Sequence, residues 1–451
     1  MTDVVILAAG EGRRMCSARP KVLQPVGGRP MLKVLLDSVA ALGPERIRLV
    51  IGAGADQVEA TLADQRFEFV VQAERLGTGH AAMQALPAID PTARVLILPG
   101  DMPLIRPQTL QRLLDSQAPL ALLSFMADDP TGYGRILRDA AGRVVAIREH
   151  RDASAEERAV REVNSGVMCA RASDWNTWLA RVQADNAQGE YYLTDCVGLA
   201  AAAGFEVDAV VAEDPEELMG ANDRVQLAGL ERAFQKRARL ALMHAGVTLV
   251  DPDSVHVRGS VQAGRDVLID KDVILEGQVN IGEGVSIGPG CVIRDSELAA
   301  GTRLEPYCVL EGVRTTGACA IGPFARLRPG TELAEGVKIG NFVEVKKARF
   351  KAGAKASHLS YIGDAVVGER ANLGAGTITC NYDGVNKHHT EIGSDAFVGS
   401  NTALVAPVSI GERATIGAGS VISRNAPDDQ LSLTRAPQRS IAAWQRPQKK
   451  S

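Results

Sequence analysis

A six-residue rhythm in the second half of the chain limits its fold more than any other feature. Around Ile281-Gly282-Glu283-Gly284-Val285-Ser286-Ile287-Gly288-Pro289-Gly290-Cys291-Val292-Ile293 an aliphatic residue returns at every sixth position, with a small or β-branched residue two places before it. Ile269, Leu275, Ile281, Ile287 and Ile293 keep step, as do Val255, Val261, Val267, Val273, Val279 and Val285. The step resumes at Ile321, Leu327, Leu333, Ile339 and Val345, and again at Ile392, Val398, Leu404, Ile410, Ile416 and Ile422. A helix needs a spacing near 3.6 and a half-buried strand alternates, so neither period fits. Hexapeptide repeats of this kind predict a parallel β-helix. Each short strand turns one aliphatic side chain inward, turns a corner on Gly or Asn, and starts again, with the small residue fitting the corner. One coil cannot bury its own face, so stability comes from stacking.

Composition narrows the rest. A chain of 451 residues is too long for one compact domain, and the repeat claims everything from about residue 250 onward. The net charge of −4 argues against broad nucleic-acid binding, which needs a basic face. Seven cysteines, without CxxC pairs, fit reduced thiols in a cytoplasm. No apolar run is long enough to span a bilayer. The first residues read as a core strand, which leaves no room for a signal peptide. A cytoplasmic protein without membrane or nucleic-acid partners is expected.

The first half alternates strand-like and helix-like runs. Strands are predicted over Val4–Ala8, Arg48–Ile51, Phe67–Val71, Val95–Leu98 and Leu120–Phe125, with helices over Met31–Leu42, Asp56–Leu62, His80–Ala85 and Pro107–Asp115. This order means an open, mostly parallel sheet that binds ligands at the carboxyl ends of its strands, in the loops after Ala8 and Leu98. The loop Gly10-Glu11-Gly12-Arg13-Arg14-Met15 fails the dinucleotide fingerprint at Met15 and lacks the Gly-Lys-Ser/Thr of a P-loop. Glycines there let the backbone approach phosphates.

Leu7-Ala8-Ala9-Gly10-Glu11-Gly12-Arg13-Arg14-Met15 followed by Pro20-Lys21-Val22-Leu23 resembles the signature of sugar-nucleotide pyrophosphorylases, which usually have Thr where Arg13 stands. The resemblance covers residues 1–225 and implies a Rossmann-like nucleotidyltransferase domain. It implies that Leu7, Ala8, Ala9, Gly10 and Lys21 bind the nucleotide or sugar, that Arg14 and Lys21 are catalytic, adding charge where negative charge grows during phosphoryl transfer, and that Gln72, Gly77 and Thr78 read uracil. Pro99, Gly100 and Asp101 close a buried strand, and Asp101 and Asn222 are the implied Mg²⁺ ligands, a pair suited to a hard ion that also binds substrate phosphates. Gly134, Glu149 and Asn164 fall in the implied sugar-binding segments.

From Asn222 to Gly246 one helix is expected, capped by Asn222 or Asp223, with Lys236, Arg237 and Arg239 on a solvated face. At 1.5 Å per residue it spans roughly 35 Å, enough to separate two domains. The expected division is 1–221, a linker helix 222–246, a β-helix 247–426 and a tail 427–451. Within the repeat the rhythm breaks near Val313–Ala318, Lys346–Ser357 and Cys380–His389, where function tends to sit. The paired His388-His389 lacks a neighbouring Cys or carboxylate cluster, which argues against a metal site there.

The solenoid resembles the left-handed β-helix of hexapeptide-repeat acyltransferases, in which three hexads make one triangular coil. Lys355-Ala356-Ser357-His358-Leu359-Ser360-Tyr361-Ile362-Gly363-Asp364, Asn372-Leu373-Gly374-Ala375-Gly376-Thr377 and Asn381-Tyr382-Asp383-Gly384 are similar to the acetyltransferase half of one family. That family is the bifunctional N-acetylglucosamine-1-phosphate uridylyltransferase/glucosamine-1-phosphate acetyltransferase. The match covers essentially the whole chain. It implies that His358 is a general base, a role suited to imidazole. Arg328, Lys346, Tyr361, Asn372 and Lys387 would hold glucosamine 1-phosphate. Ala375, Asn381, Tyr382, Ser400, Ala418 and Arg435 would meet acetyl-CoA. The co-substrates implied are UTP and acetyl-CoA, the cofactor is Mg²⁺, and the assembly is a homotrimer, with the tail around Arg435 free to cross onto another subunit. A nucleotidyltransferase whose β-helix only binds an effector, and a non-catalytic scaffold, are the competing readings.

Overall fold

The computed structural model describes residues 2–63 and 67–449; the last two residues of the expected tail lie outside them. Two compact units, Met1–Gln235 and Lys236–Ser451, divide the chain.

In the first unit continuous apolar runs form the middle of a sheet. Thr2–Leu7, Arg94–Pro99, Arg46–Ile51 and Glu68–Val71 pair in parallel, and Val4, Val5, Ile6, Leu49, Val50, Leu96 and Ile97 are fully buried. Parallel strands covered by helices on both faces require such runs. The main path runs Val207–Val211, Leu120–Met126, Glu162–Arg171, Arg94–Pro99, Thr2–Leu7, Arg46–Ile51 and Glu68–Val71, and off it Arg135–Arg138 pairs with Glu162–Arg171 and with Val144–Arg148. Glu162–Arg171, absent from the sequence-based expectation, runs antiparallel between two of the expected strands. Leu7 stands beside Pro99 in the ladder, so the loops after both strands emerge at one edge.

In the second unit every residue of the hexad series is buried except Val261, which is half-buried. Stacked rungs set the coil length. Leu275 pairs with Ile293, eighteen residues on, which is three hexads. Ile287 pairs with Leu304, seventeen on, where one face is a residue short. Leu373 pairs with Val398, twenty-five on, because the projecting loop after Cys380 is inserted into that coil. One face carries eleven rungs, from Thr248–Leu249 to Leu431–Ser432. This is the β-helix of the hexapeptide class, and its rungs run past residue 426. The small residues fill the corners as expected: Cys291, Cys308, Cys319, Ala325, Ala354, Ala371, Ala396 and Ala414 are all buried. Three of the seven cysteines are thereby explained as packing residues.

The corners correct one expectation. Gly and Asn do not monopolise them: Tyr307, Phe324, Phe342 and Leu359 adopt left-handed φ of 60°, 55°, 56° and 49° on successive coils. A side chain in that region costs roughly 1–2 kcal/mol. Ring stacking offsets part of this, with Tyr307–Phe324 and Phe324–Phe342 centroids each 5.3 Å apart and nearly parallel.

The expected linker is the helix Arg224–His244. Asp223 caps it, accepting from the Gln226 N–H at 2.9 Å, which leaves the Asn222 side chain free of that duty. The basic face is not wholly solvated. The Arg239 side chain is 13% exposed and pairs with Asp253 at 2.8 Å, because the aliphatic stem packs while the head finds a carboxylate. Among the described residues no helix is long and apolar enough to cross a membrane.

Candidate functional site

The paired ends of Thr2–Leu7 and Arg94–Pro99 open into a cleft. Leu7, Ala9, Gly10, Gln72, Gly77, Thr78 and Pro99 line a cavity of about 500 Å³. Pro99 also lines an adjoining cavity of about 260 Å³ with Arg14, Asp101, Tyr133, Gly220 and Asn222. Most of the residues implied for the nucleotide are thus gathered at one sheet edge. Ala8 and Gly100 serve differently. The Ala8 N–H donates to Val50 at 2.8 Å and the Gly100 N–H to Leu7 at 2.9 Å, so both are tied into the sheet. Gly12 has φ +63°, and a Cβ there would meet the Lys21 Cβ at 2.7 Å, which lets the loop press onto the Lys21 segment.

Lys21 joins the two implied metal ligands. Its Nζ donates to Asn222 Oδ1 at 2.7 Å and forms an ion pair with Asp101 Oδ2. A carboxylate oxygen and an amide oxygen therefore face one point, a hard-donor pair that fits Mg²⁺. Among the described residues no group of three His, Cys, Asp or Glu could hold a metal, so such an ion would be completed by substrate oxygens and water. Gln226, which sequence reasoning missed, braces Asn222 by accepting its N–H at 2.7 Å. Gln72 is buried, and its amide donates to Gly77 O at 3.2 Å and contacts His80 Nδ1 at 3.0 Å.

Gly134, just before Arg135–Arg138, Glu149, just after Val144–Arg148, and Asn164, within Glu162–Arg171, come together. The Asn164 N–H donates to Gly134 O at 2.8 Å, and a Cβ at Gly134 would stand 3.2 Å from Glu149 Oε1. Burial pushes the Glu149 carboxyl above its usual range, and Thr194, whose hydroxyl donates to it at 3.0 Å, partly opposes this.

On the solenoid, residues one coil apart are neighbours, and this places the second set of groups. His358 Nδ1 lies 2.8 Å from Asn341 Oδ1, seventeen residues earlier on the same corner. With the Asn341 oxygen as acceptor, Nδ1 carries the proton and Nε2 keeps its lone pair. Asn341 escaped the sequence reading, although the coil period applied backwards from His358 points to it.

Across the adjacent face lies a cluster of cations. Lys346 pairs in the ladder with Gly363. The Tyr361 hydroxyl and the Asn381 amide crowd Gly363, where a Cβ would meet them at 2.5 and 2.9 Å. The Lys387 ammonium, in hydrogen-bonding and Coulombic reach, holds Lys346 below its usual range; Arg328 adds to this and Asp364 opposes it. Arg328 also pairs with Glu344 at 3.0 Å. Crowded like charges of this kind make an anion site. Asn372 stands on the other side of the His358 corner, paired with Lys355 and Phe397.

The residues implied for acetyl-CoA divide between two edges. Ala375, Ser400 and Ala418 occupy the His358 corner on successive coils: the Asn401 N–H donates to Ala375 O at 2.7 Å and the Gly419 N–H to Ser400 O at 2.8 Å. Arg435 continues this column, its Nη2 3.5 Å from where a Gly417 Cβ would lie. The tail is therefore not free at this point. Leu431–Ser432 adds a rung, and Thr434 Oγ1 exchanges bonds of 2.8 Å with the Val421 backbone. Asn381 and Tyr382 instead follow Ile378–Cys380, on the opposite edge of the adjacent face, where Asn381 donates to Asp364 at 2.5 Å. One chain does not bring these six residues together. His388 clasps the same loop through Asp383 at 2.7 Å, as a structural pair.

Comparison with known proteins agrees with both halves. The model of the MobA-like NTP transferase domain matches residues 4–164, and that of the bacterial transferase hexapeptide repeat matches 264–295 and 389–424. The chain is 54% identical over 446 residues to the bifunctional protein GlmU of Alkalilimnicola ehrlichii, covering 99% of this chain and 96% of that one. It is 56% identical over 448 residues to that of Xanthomonas oryzae pv. oryzae, covering 99% of both. With that of Stutzerimonas stutzeri the identity is 55% over 450 residues, again over 99% of both. On identity of this extent over both units, the chain belongs to the family of the bifunctional protein GlmU.

Proposed function

We propose that this chain is a bifunctional enzyme whose two reactions are divided between its units. It acetylates glucosamine 1-phosphate with acetyl-CoA, then transfers UMP from UTP to N-acetylglucosamine 1-phosphate, giving UDP-N-acetylglucosamine and pyrophosphate. Residues 1–221, with Asn222 of the linker, carry the uridylyl transfer and residues 247–426, with Arg435 of the tail, the acetyl transfer.

On the solenoid, the phosphate of glucosamine 1-phosphate lies among Arg328, Lys346 and Lys387, with Tyr361 and Asn372 flanking the sugar. His358 Nε2 takes a proton from the 2-ammonium, and the freed amine attacks the thioester carbonyl of acetyl-CoA. Asn341 holds the ring in the tautomer that leaves Nε2 free. Ala375, Ser400, Ala418 and Arg435 receive acetyl-CoA along one corner, and Asn381 and Tyr382 close over it from a neighbouring chain of a homotrimer. Threefold closure supplies the groove that a single prism lacks.

In the first unit, Gln72, Gly77 and Thr78 orient the uracil, while Gly134, Glu149 and Asn164 hold the sugar. The sugar phosphate attacks the α-phosphorus of UTP in line, and the bond to pyrophosphate breaks. Arg14 and Lys21 lie where negative charge grows. Mg²⁺, held by Asp101 and Asn222, would neutralise phosphate charge when bound. Both co-substrates and the buried, unpaired thiols suit a cytoplasmic setting.

The observation that carries the reading is the crowding of Lys346 by Lys387 and Arg328 on the face next to the corner where Asn341 engages the Nδ1 of His358. The test is to assay purified protein with each sugar phosphate, with and without each co-substrate. CoA release that requires glucosamine 1-phosphate, and pyrophosphate release that requires N-acetylglucosamine 1-phosphate, are expected. Absence of the first leaves a nucleotidyltransferase alone.

A further inference from the structure

At the mouth of the nucleotide cleft, Glu11 is gripped from both sides. Arg13 Nε donates to one oxygen of its carboxylate and Arg75 Nη1 to the other. All three side chains line the cavity that holds Gln72, Gly77 and Thr78. All three also line a second basin of about 450 Å³, shared with Gly12, Ser17 and Arg19. The Arg13–Glu11–Arg75 bridge therefore stands between the two spaces. Around the basin three guanidinium groups face one carboxylate. The Arg13 side chain is 87% exposed, so no packing holds it in place; Glu11 does. A Cβ at Gly10, in the same mouth, would meet no atom within 4 Å, so the space beside the bridge is open to a ligand.

We infer that Arg13 and Arg75 form the receptor for the two terminal phosphates of the nucleoside triphosphate, and that Glu11 is an internal anion displaced when they bind. The inference rests on the nucleotidyl-transfer reading of the first unit. A guanidinium fork matches phosphate oxygens as well as it matches a carboxylate, so the same two arginines serve both partners in turn. Glu11 offers one negative charge, and a pyrophosphate group offers more, so the ligand wins the exchange at substrate concentrations. After the α-phosphorus bond breaks, Glu11 competes for the same forks and hastens departure of pyrophosphate. The guanidinium of Arg13 in the first place, then that of Arg75, holds Glu11 below the usual carboxylate range, so it stays charged and competitive at working pH. Arg13 thereby gains a role at the position where pyrophosphorylases usually carry Thr.

The test is steady-state kinetics in the reverse direction, with UDP-N-acetylglucosamine and inorganic pyrophosphate as substrates. Glu11→Gln is expected to lower the KM for pyrophosphate about threefold to tenfold, since the forks lose their internal competitor. Arg13→Ser with Arg75→Gln is expected to raise it about tenfold, leaving the KM for UDP-N-acetylglucosamine within about twofold. The gain in Glu11→Gln should shrink at high salt, where exposed charges are screened. An unchanged or raised pyrophosphate KM in Glu11→Gln overturns the inference, as does an equal rise of both KM values in the double arginine variant. Wild-type protein that makes no UTP from these substrates overturns the nucleotidyl-transfer reading itself, and the inference with it.

Discussion

The two proposed sites would solve the problem of holding a phosphate in opposite ways. In the first unit the candidate groups sit inside a cleft, where the Lys21 and Asp101 side chains are each 15% exposed. On the solenoid His358 is exposed and the Arg328 side chain is 37% exposed. An open α/β sheet ends in loops that can fold over one another, so one chain builds an enclosure. A prism of stacked coils has flat faces and sharp corners, and neighbouring coils space their groups by about 4.8 Å. It gives a ladder of single positions, well aligned along one edge but with no lid. On the proposed reading, the enclosed site is complete in one chain, whereas the open one needs a second surface.

The sharpest way to break this contrast is to show that the two sites depend on one another. Asp101→Asn is expected to lower uridylyl transfer about 10²–10³-fold while acetyl transfer stays near wild type. His358→Ala is expected to lower acetyl transfer about 10²–10⁴-fold with uridylyl transfer intact. Loss of both reactions from either change, in protein with a normal circular dichroism spectrum, would end the division. Asn341→Ala should cost acetyl transfer about tenfold to a hundredfold in kcat, because the imidazole loses its fixed tautomer and aim. An unaltered kcat would reduce Asn341 to a surface residue.

The need for a second surface is sharpened by complementation. His358→Ala and Asn381→Ala are each expected to inactivate acetyl transfer, but the two residues fall on different edges. A random 1:1 pool of trimers should regain roughly a quarter of wild-type activity, the share of grooves that draw the two intact residues from different chains. His358→Ala with Arg435→Ala should regain far less, since Arg435 lies on the His358 corner of its own chain. Equal recovery in both pairs would mean that the tail crosses between subunits after all.

The smallest effect concerns pH. Lys387 holds Lys346 below its usual range, so Lys346 gives up its proton earlier than an ordinary lysine as pH rises. Phosphate binding favours the protonated form. Inhibition of acetyl transfer by N-acetylglucosamine 1-phosphate, which has no titrating amine, should therefore weaken about threefold as pH climbs through that lowered value. In Lys387→Ala the weakening should move to higher pH. A limb that does not move would show that the two ammonium groups are not coupled.

Much of the solenoid was legible because its period is local. Ile269, Leu275 and Ile287 announce their burial by spacing alone, and the loop at Cys380–His389 shows as a break in the step. What joins one coil to the next is less visible. Asn341 and His358 are seventeen residues apart, and that distance carries meaning only once the coil length is known. The left-handed corners at Phe324 and Phe342 break the expected preference for glycine because each ring is held by the ring below it, which is a tertiary effect. In the first unit the glycine loop and Asp101 were legible by resemblance. Glu162–Arg171 was not: it enters the sheet antiparallel between strands much earlier in the chain, and no local pattern specifies that neighbour. The Glu11–Arg75 bridge links residues sixty-four apart and was equally hidden.

Because each coil rests only on the coils above and below it, the prism melts as a zipper does, from its free ends inward. The rung Leu431–Ser432 is the last on its face, with Thr415–Ile416 beneath it and no rung above it among the described residues. Arg435 hangs just beyond that rung, while His358 lies several coils inside. Gentle warming should therefore loosen the grip on the acyl donor before it disturbs the imidazole. Heat would first appear as a rising KM for acetyl-CoA at constant kcat, with collapse of turnover only at a higher temperature.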